Sequence, residues 1–591
     1  MTLFPIDWVI IAVYLAGCVV AGVWMRRYIR NVDDFAVAGR EMDLNLGVAS
    51  LAATEVGIVT VMYTAEMGFK NGLAGATPGV LGCLAMLLVG MTGFVIVPLR
   101  KAGVITIPEL FEKRFGKRVR WLAGLVVILG GVLNMGIFLR VGGEFLMYVA
   151  GLDPKYTFAL QVMGFQWHLG LLEVTMTSLL AVVLLYTVLG GMVSVLVTDY
   201  LQFIVMGLGI VITSVLVVWN VGWPDLLSGL SESHQSGEVF EETQKEQSQR
   251  QKEAVEELRR AEGPAAAEEL KDTQAQQRAA SLRAHAGDLA KKQVLVDTKD
   301  EDEPKAVAMT DPFNPVLGFG WAWIIWQALH ELACMTTWQT TISRVLSARD
   351  ARTAKKVYTR TSFYFVGRFA LPGLWGAAAF LYFCSLGGLP EGVGSLTAMP
   401  KYLNTILGPG LIGIMIAAML AAEMSTDSGY LLTWATVMYN DLINPCLRRP
   451  LSPKAKLFTV RAMVLAIGVF LVFYGLWYKV PGRAWDYLSV TGNIYLASLF
   501  TLLVGALYWR GANSWGAVAA IVLGAVGPLT FLVVNAIVKD PDKQISPELA
   551  GLAAFILSFA GMIVGSWLGR ALGRGRGSLS AADTSPQEAS T

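Results

Sequence analysis

Several oxygen-bearing side chains lie inside a hydrophobic run that is long enough to cross a membrane. Five of them fall within six positions of the stretch MIAAMLAAEMSTDSGYLLTW: Glu423, Ser425, Thr426, Asp427 and Ser428. Charged groups are costly in a membrane interior, so they usually face a protein cavity and mark the path of an ion or solute. Serine and threonine alone could instead bond the preceding helical turn or a neighbouring helix. Two adjacent hydroxyls that meet unwound backbone carbonyls could, however, bind Na⁺.

A second segment could supply those carbonyls. The stretch NLGVASLAATEVGIVTVMYTAEMGF is rich in small residues and has Glu55 and Gly57 at its middle. A break around Ala53 to Gly57 would free backbone carbonyls without exposing them to lipid. We therefore predict an interrupted helix here, packed against the helix that contains Ser425 and Thr426.

The composition indicates a membrane protein. Hydrophobic residues make up 54% of the chain and charged residues only 16%, which a soluble domain rarely combines. The net charge of +2 is too small to indicate nucleic-acid binding. The cysteines have neither disulfide-framework nor metal-ligand spacing, and no nucleophile, base or metal cluster indicates an enzyme.

We predict an all-α integral membrane protein with about thirteen spans, since a spanning helix needs roughly 20 apolar residues. The predicted spans lie near 6–25, 46–68, 76–98, 121–150, 170–190, 195–219, 316–342, 361–386, 408–435, 457–478, 485–508, 513–538 and 549–569. Spans one to six fall within residues 1–227 and spans seven to thirteen within residues 313–570. A polar insertion at 228–312 separates them, and a polar tail occupies 571–591.

Lysine and arginine predict the orientation, because cytoplasmic loops of membrane proteins are enriched in them. Basic residues recur at 26–40, 100–120, 349–360 and 448–456. These loops share one side only if spans two and three form an outward-facing hairpin. We therefore predict a cell-membrane protein with its N-terminus outside and its C-terminus in the cytoplasm, where the tail is too polar to fold.

The insertion at 228–312 is predicted to lie on the outer face as a solvated helical hairpin. It is rich in Ala, Glu, Lys, Gln and Arg and is broken once at Gly263-Pro264. Its large apolar residues are too sparse for an independent core. It is either a solvated appendage or a surface that docks a protein partner.

Six segments together resemble the sodium:solute symporter family. They are DDFAVAGREMDLNLGVASLAATE, TIPELFEKRFGKRVRWLAG, YTVLGGMVSVLVTDYLQF, WQTTISRVL, GLIGIMIAAMLAAEMSTDS and YLSVTGNIYLASLFTLLVGALYWRGANSWGA. In this order they cover nearly the whole chain except the insertion and the tail. The resemblance implies the leucine-transporter architecture, a 5+5 inverted repeat with broken helices, preceded by one extra helix.

The resemblance also implies a Na⁺ site between the second and ninth spans. Its ligands would be the backbone carbonyls of Ala53, Val56 and Ala422 and the side-chain oxygens of Ser425 and Thr426. We expect both of these helices to be interrupted at the ion. Asp199, in VTDYLQF, matches a Thr-Asp pair of the family and would contribute to a second cation site, act as a gate or form a structural hydrogen bond.

The solute contacts are open to more than one interpretation. Arg140 and Glu144 are one helical turn apart, so they form either an intrahelical ion pair or a clamp for a substrate carboxylate. His330 and Glu331 lie where the seventh span should unwind, and Glu55 lies in the break of the second span. These side chains either contact a polar or charged solute or cap exposed backbone.

Glu423 departs from the family pattern, which usually has an uncharged residue there. It could pair with Arg368 of a neighbouring helix, or it could titrate and couple protons. We interpret the chain as a Na⁺-coupled secondary active symporter that imports a small polar organic solute by alternating access. The alternatives are a transporter-like solute sensor and a proton-coupled or uncoupled carrier.

Overall fold

The chain is almost entirely helical in the part that the computed structural model describes. The described residues are 3–28, 32–153, 156–162, 165–236, 310–390, 392–449, 451–477, 484–538 and 543–573, with short pieces between 254 and 307.

The N-terminal half contains the helices that form the first interrupted span. In chain order the elements are α1 (Pro5–Met25), α2 (Val32–Val37), α3 (Leu44–Thr54), α4 (Ile58–Asn71), α5 (Thr77–Thr92), α6 (Ile96–Lys101), α7 (Ile107–Phe115), α8 (Lys117–Met135), α9 (Phe138–Ala150), β1 (Thr157–Val162), β2 (Phe165–Gly170), α10 (Leu171–Val221) and α11 (223–236). Strands β1 and β2 pair as an antiparallel hairpin.

The C-terminal half contains the second interrupted span and the helix rich in hydroxyls. Its elements are β3 (Leu295–Asp297), β4 (Lys305–Val307), α12 (Pro315–Phe319), α13 (Trp321–Thr337), α14 (Gln339–Ser347), α15 (Ala351–Ser385), α16 (Ser395–Ile406), α17 (Leu411–Val437), α18 (Pro453–Trp477), α19 (Ala484–Tyr508), α20 (Ser514–Ile537) and α21 (Pro547–Ala571). A π-helical turn, Met438–Ile443, follows α17.

Ten helical stretches among the described residues are long and apolar enough to cross a membrane, so the predicted count of thirteen is not confirmed. One stretch, α10, is 51 residues long and covers the fifth and sixth predicted spans. Its two parts meet at Gly191, whose φ of 49° lies in the left-handed region that glycine tolerates. The second and seventh predicted spans are each interrupted. The pieces of the seventh are too short to count, and the second piece of the second span is counted together with the third span as Ile58–Thr92.

The two interruptions differ in length. Residues 55–57 separate α3 from α4, and Gly57 is extended with φ −86° and ψ 170°. Trp338, with ψ 110°, separates α13 from α14. The expectation that the ninth span is also interrupted is wrong, because α17 is continuously helical. Contact with the break in the second span does not require a break in α17, because the hydroxyl side chains of α17 themselves reach it.

Close packing of α4 against α15 fixes one wall of the protein interior. A Cβ added at Gly68 would lie 1.9 Å from the carbonyl oxygen of Gly373, and one at Gly376 would lie 1.8 Å from that of Ala65. The two backbones therefore touch, which requires small residues as in other membrane helix pairs. This contact holds α15 beside the break between α3 and α4.

The insertion is described only in part. Residues 223–236 form α11, and β3 pairs with β4 as a short antiparallel hairpin. Most of the predicted helical hairpin at 228–312, with its partner-docking alternative, lies outside the described residues. The same holds for the tail from residue 574 onward.

Candidate functional site

The break in the second span lies against α17. Helix α3 ends at Thr54 and α4 begins at Ile58, so the interruption predicted at Ala53 to Gly57 is confirmed. A Cβ added at Gly57 would lie 2.9 Å from Thr426 Oγ1 and 3.2 Å from Thr426 Cβ. Glycine is therefore needed for the close approach of the break to α17.

The five predicted Na⁺ ligands are all buried in this region. The Thr426 hydroxyl donates to the Thr54 carbonyl oxygen at 3.0 Å, which joins α17 to the break. The Ala53 carbonyl accepts from the Val56 N–H at 3.3 Å, so the break closes as a tight turn. The structure thus places Thr426 of α17 against the break, and Na⁺ binding by the five residues stays a prediction.

Asp199 is not a solvent-exposed carboxylate near a helix end. It is fully buried on α10, and its Oδ1 accepts from the Ser425 hydroxyl at 2.6 Å. Its Oδ2 accepts from the Ser50 hydroxyl at 2.5 Å and from Arg344 Nη2 at 3.2 Å. Asp199 therefore links α3, α10, α14 and α17 directly beside the predicted Na⁺ ligands.

Arg344 supplies the positive charge of this network. Its side chain is fully buried, and it also donates to the Ser50 and Thr54 side chains and to the Thr340 carbonyl. A buried ion pair is tolerated when further hydrogen bonds satisfy both partners, as they do here. Sequence reasoning did not single out Arg344, although a lone arginine in an apolar segment already requires a partner.

Glu423 does not pair with Arg368, so that expectation is wrong. Its Oε2 accepts from the Ile58 N–H at 3.1 Å and thereby caps the first turn of α4. Gly57 has no side chain with which to cap that turn. A carboxylate from α17 takes over this role, which explains the departure from the family pattern. Asp427, one turn further on, is fully buried, and neither of its carboxylate oxygens has a hydrogen-bond partner in the described part of the chain.

A cavity of about 80 Å³ lies beside the break; we call it the central cavity. Five aromatic side chains line it, and Glu55, His330, Glu331 and Arg368 are its acidic and basic members. The lining residues are Glu55, Val59, Thr60, Tyr63, Asn134, Phe138, His330, Glu331, Cys334, Met335, Trp338, Thr341, Arg368, Tyr430, Trp485, Leu488, Ser489 and Gly492.

Glu55 connects the two interrupted spans. One carboxylate oxygen accepts from the Thr341 hydroxyl of α14, and the other accepts from Arg368 Nη1 at 2.9 Å. Thr341 follows the break at Trp338, whereas Arg368 lies on α15. A single carboxylate in the first break thus holds the second break and α15 together.

His330 and Glu331 line the central cavity but do not lie at an unwound point. Both belong to the regular helix α13, about two turns before the break at Trp338. The His330 ring bonds the Asn493 side chain at 2.9 Å and the Cys334 sulfur at 3.4 Å. The seventh span unwinds later than predicted, at Trp338.

Arg140 and Glu144 form the intrahelical pair, with 3.2 Å between Nε and Oε1. Neither is among the lining residues of the central cavity. The spacing of one helical turn on α9 is sufficient to explain why these two charges occur together.

Comparison with known proteins agrees with this geometry. A model of the sodium:solute symporter family matches residues 35–524. The chain belongs to the sodium:solute symporter family. It is 24% identical to sodium/glucose cotransporter 4 of Danio rerio over 93% of this chain and 75% of that protein. It is 23% identical to the high-affinity proline transporter PutP of Bacillus subtilis over 89% of this chain and 91% of that protein.

A solved structure has the same fold. The substrate-bound outward-open state of a Na⁺-coupled sialic acid symporter matches with a TM-score of 0.67 at 17% identity. The match covers 96% of this chain and 98% of the other. This chain is therefore a multi-pass membrane protein of a transporter family, and its fold is that of this symporter.

Proposed function

We propose that this protein imports a small polar organic solute together with Na⁺ by alternating access. The observation that carries the proposal is the 3.0 Å hydrogen bond from the Thr426 hydroxyl to the Thr54 carbonyl at the break. It places a hydroxyl of an intact helix on the unwound backbone of another, which is the arrangement that binds Na⁺ in broken-helix transporters. The proposed ligands are the carbonyls of Ala53, Val56 and Ala422 and the hydroxyls of Ser425 and Thr426.

Uncharged oxygens suit a coupling ion that must bind and then leave. Neutral dipoles hold the cation firmly enough to replace its water but weakly enough to release it. The Asp199 carboxylate next to Ser425 is matched by Arg344, so the proposed site retains no excess negative charge from that pair. We assign Asp199 a gating or positioning role, in which its contacts with Ser425 and Arg344 change as Na⁺ arrives; a second cation there is the alternative.

The solute is proposed to occupy the central cavity. Glu55, His330 and Glu331 line it, and the Glu55 carboxylate ties together the two interrupted spans that border it. Occupation of this cavity would therefore act on both breaks at once, which couples the solute to the Na⁺ site. The membrane potential would favour entry of each uncompensated positive charge by about 2.3 kcal/mol per 100 mV.

The same proposal assigns the two repeats, the polar insertion and the two termini. The interrupted spans α3–α4 and α13–α14 would begin the two five-helix repeats, one in residues 1–227 and one in residues 313–570. The polar insertion would lie outside the cell with the N-terminus, and the tail at 571–591 would lie in the cytoplasm. The sided distribution of lysine and arginine supports this orientation.

Uptake into proteoliposomes tests the function. An inward Na⁺ gradient should drive accumulation of at least one member of a panel of labelled sugars, amino acids, amines and carboxylates, whereas an equal K⁺ gradient should not. Ser425→Ala with Thr426→Ala should abolish the Na⁺ dependence because both hydroxyl ligands are lost.

Thr436→Ala is the matched control, since its hydroxyl on the same helix donates only to the Leu432 carbonyl. It should transport like the wild type. Uptake that is equally fast in Na⁺ and K⁺, or undiminished in the double variant, would refute the proposal.

A further inference from the structure

The central cavity has aromatic walls. The rings of Tyr63 and Trp485 are 4.8 Å apart, and those of Trp338 and Tyr430 are 5.6 Å apart. Phe138 extends the second pair, with 5.4 Å between its ring and that of Tyr430. Aromatic faces carry partial negative charge and attract cations that lose their water.

The cavity also has one more acidic than basic side chain among its described lining residues. Glu55 and Glu331 are acidic, and Arg368 is basic. The guanidinium of Arg368 is committed to Glu55, with 2.9 Å between Nη1 and Oε2, and its carbon lies 4.5 Å from the centre of the Phe365 ring. Arg368 is thus already matched, and one formal negative charge is left over.

That remaining charge belongs to Glu331. Its side chain is only 3% exposed, yet within the described ranges it accepts no hydrogen bond and lies in no ion pair. It interacts with Arg368 and with Glu55 only through space. Room for the carboxylate comes from Gly82 of α5, where a Cβ would approach Oε2 to 2.8 Å. A buried carboxylate without a donor, at the wall of a cavity, requires a partner that the chain itself does not supply.

We propose that the transported solute carries an ammonium group, bound between the Glu331 carboxylate and the aromatic faces of the central cavity. The inference rests on the proposed function, because it identifies the solute class of the same cavity. His330 does not compete for Glu331, since its ring nitrogens contact Asn493 and Cys334. Na⁺ is bound separately, by the neutral oxygens around Thr426.

Binding of matched probes to the purified full-length protein tests the inference. Calorimetry in NaCl compares choline and ethanolamine with their uncharged isosteres, in which carbon replaces the ammonium nitrogen. At least one ammonium probe should bind at millimolar or lower concentration, and its isostere should bind about tenfold or more weakly. In Glu331→Gln this preference for the charged probe should disappear, and Glu331→Asp should retain part of it.

Glu548→Gln, in the first turn of α21, is the control and should bind like the wild type. Sodium binding to each variant shows that the variant is folded. Equal binding of probe and isostere, no binding of either ammonium probe, or an unchanged preference in Glu331→Gln would overturn the inference. Na⁺-driven accumulation of an uncharged sugar without ammonium binding would overturn this inference alone, whereas ammonium binding without Na⁺-driven accumulation would contradict the proposed symport alone.

Discussion

Two buried carboxylates, those of Asp199 and Glu331, differ in their hydrogen bonding. Asp199 accepts from three hydroxyls, those of Ser50, Thr54 and Ser425, and from Arg344, so its charge is enclosed in a complete network. Glu331 is buried nearly as deeply, yet it accepts no hydrogen bond from the part of the chain that the structure describes. The first group holds four helices together, whereas the second faces a cavity and is available to a ligand.

This difference in hydrogen bonding distinguishes buried polar groups that stabilise the fold from those that are available to bind a solute. A buried pair that is fully hydrogen-bonded stabilises one arrangement, and breaking it exposes an uncompensated charge. A group that must bind and release a solute cannot be satisfied by its own chain. The proposed Na⁺ ligands lie between these extremes, since the Ser425 and Thr426 hydroxyls can turn from protein acceptors toward an ion.

Removal of the charge partner should have the largest effect. Arg344→Leu leaves Asp199 buried without a counter-charge and should lower the free energy of unfolding by about 3–5 kcal/mol. Glu331→Gln should leave it unchanged or raise it, because no partner is lost. Unfolding in detergent measures both, with Arg349→Gln, at an exposed pair, as the control. Equal losses of unfolding free energy in Arg344→Leu and Glu331→Gln would contradict the distinction between the two carboxylates.

Removal of the Glu423 cap across the first break should have the second-largest effect. Glu423→Leu leaves the Ile58 N–H without its 3.1 Å acceptor, so the free energy of unfolding should fall by about 1–3 kcal/mol. Glu423→Gln retains a side-chain oxygen and should lose much less. Comparable destabilisation in the two variants would mean that the cap is not what Glu423 contributes.

The approach of the break to α17 can be tested with one methyl group. Gly57→Ala adds a Cβ 2.9 Å from Thr426 Oγ1, and overpacking of this kind costs about 1–3 kcal/mol. Because the strain falls on the proposed ion-binding geometry, the variant should need about tenfold or more Na⁺ for half-maximal uptake. Gly207→Ala on α10 is the control, since nothing lies within 4 Å of its added Cβ. An unaltered Na⁺ requirement in Gly57→Ala would contradict the proposal that the break forms part of the Na⁺ site.

The smallest effect belongs to an exposed carboxylate outside the spans. Asp350 caps α15 by accepting from the Thr353 N–H at 2.7 Å, and this backbone hydrogen bond lowers the Asp350 pKa below its ordinary 3.8. The stabilisation is thus present above the unfolded-state pKa and is lost as pH falls through the lower folded-state pKa. Asp350→Ala should cost about 1 kcal/mol at neutral pH. Melting curves from neutral to acidic pH should converge with the wild type only at the acidic end; a constant difference would contradict the cap.

Sequence alone predicted the features that depend on local composition. The small residues around Gly57 predicted the first break, and the hydroxyls of Ser425 and Thr426 predicted the helix that meets it. Partner choice was not local: Arg344 meets Asp199 across 145 positions, and Arg368 meets Glu55 instead of the predicted Glu423. Sequence could not reveal this second pair, because only the packing of α15 beside the first break brings Glu55 within reach.

The ten apolar stretches differ in number from the thirteen predicted spans for a related reason. A hydropathy window measures length and composition, whereas a break or bend depends on one residue's backbone angles. Gly191 divides α10 without a polar interruption, and Trp338 ends α13 although nothing in its side chain disfavours a helix. For the same reason the sequence placed Glu331 at the break of the seventh span, although it lies within the regular helix α13.

Equilibrium binding of radioactive sodium to the purified protein tests the central claim most directly. The account predicts saturable binding that K⁺ does not displace, lost in Ser425→Ala with Thr426→Ala and retained in Thr436→Ala. Saturable binding of undiminished affinity in the double variant would contradict a sodium site between the break at Gly57 and α17.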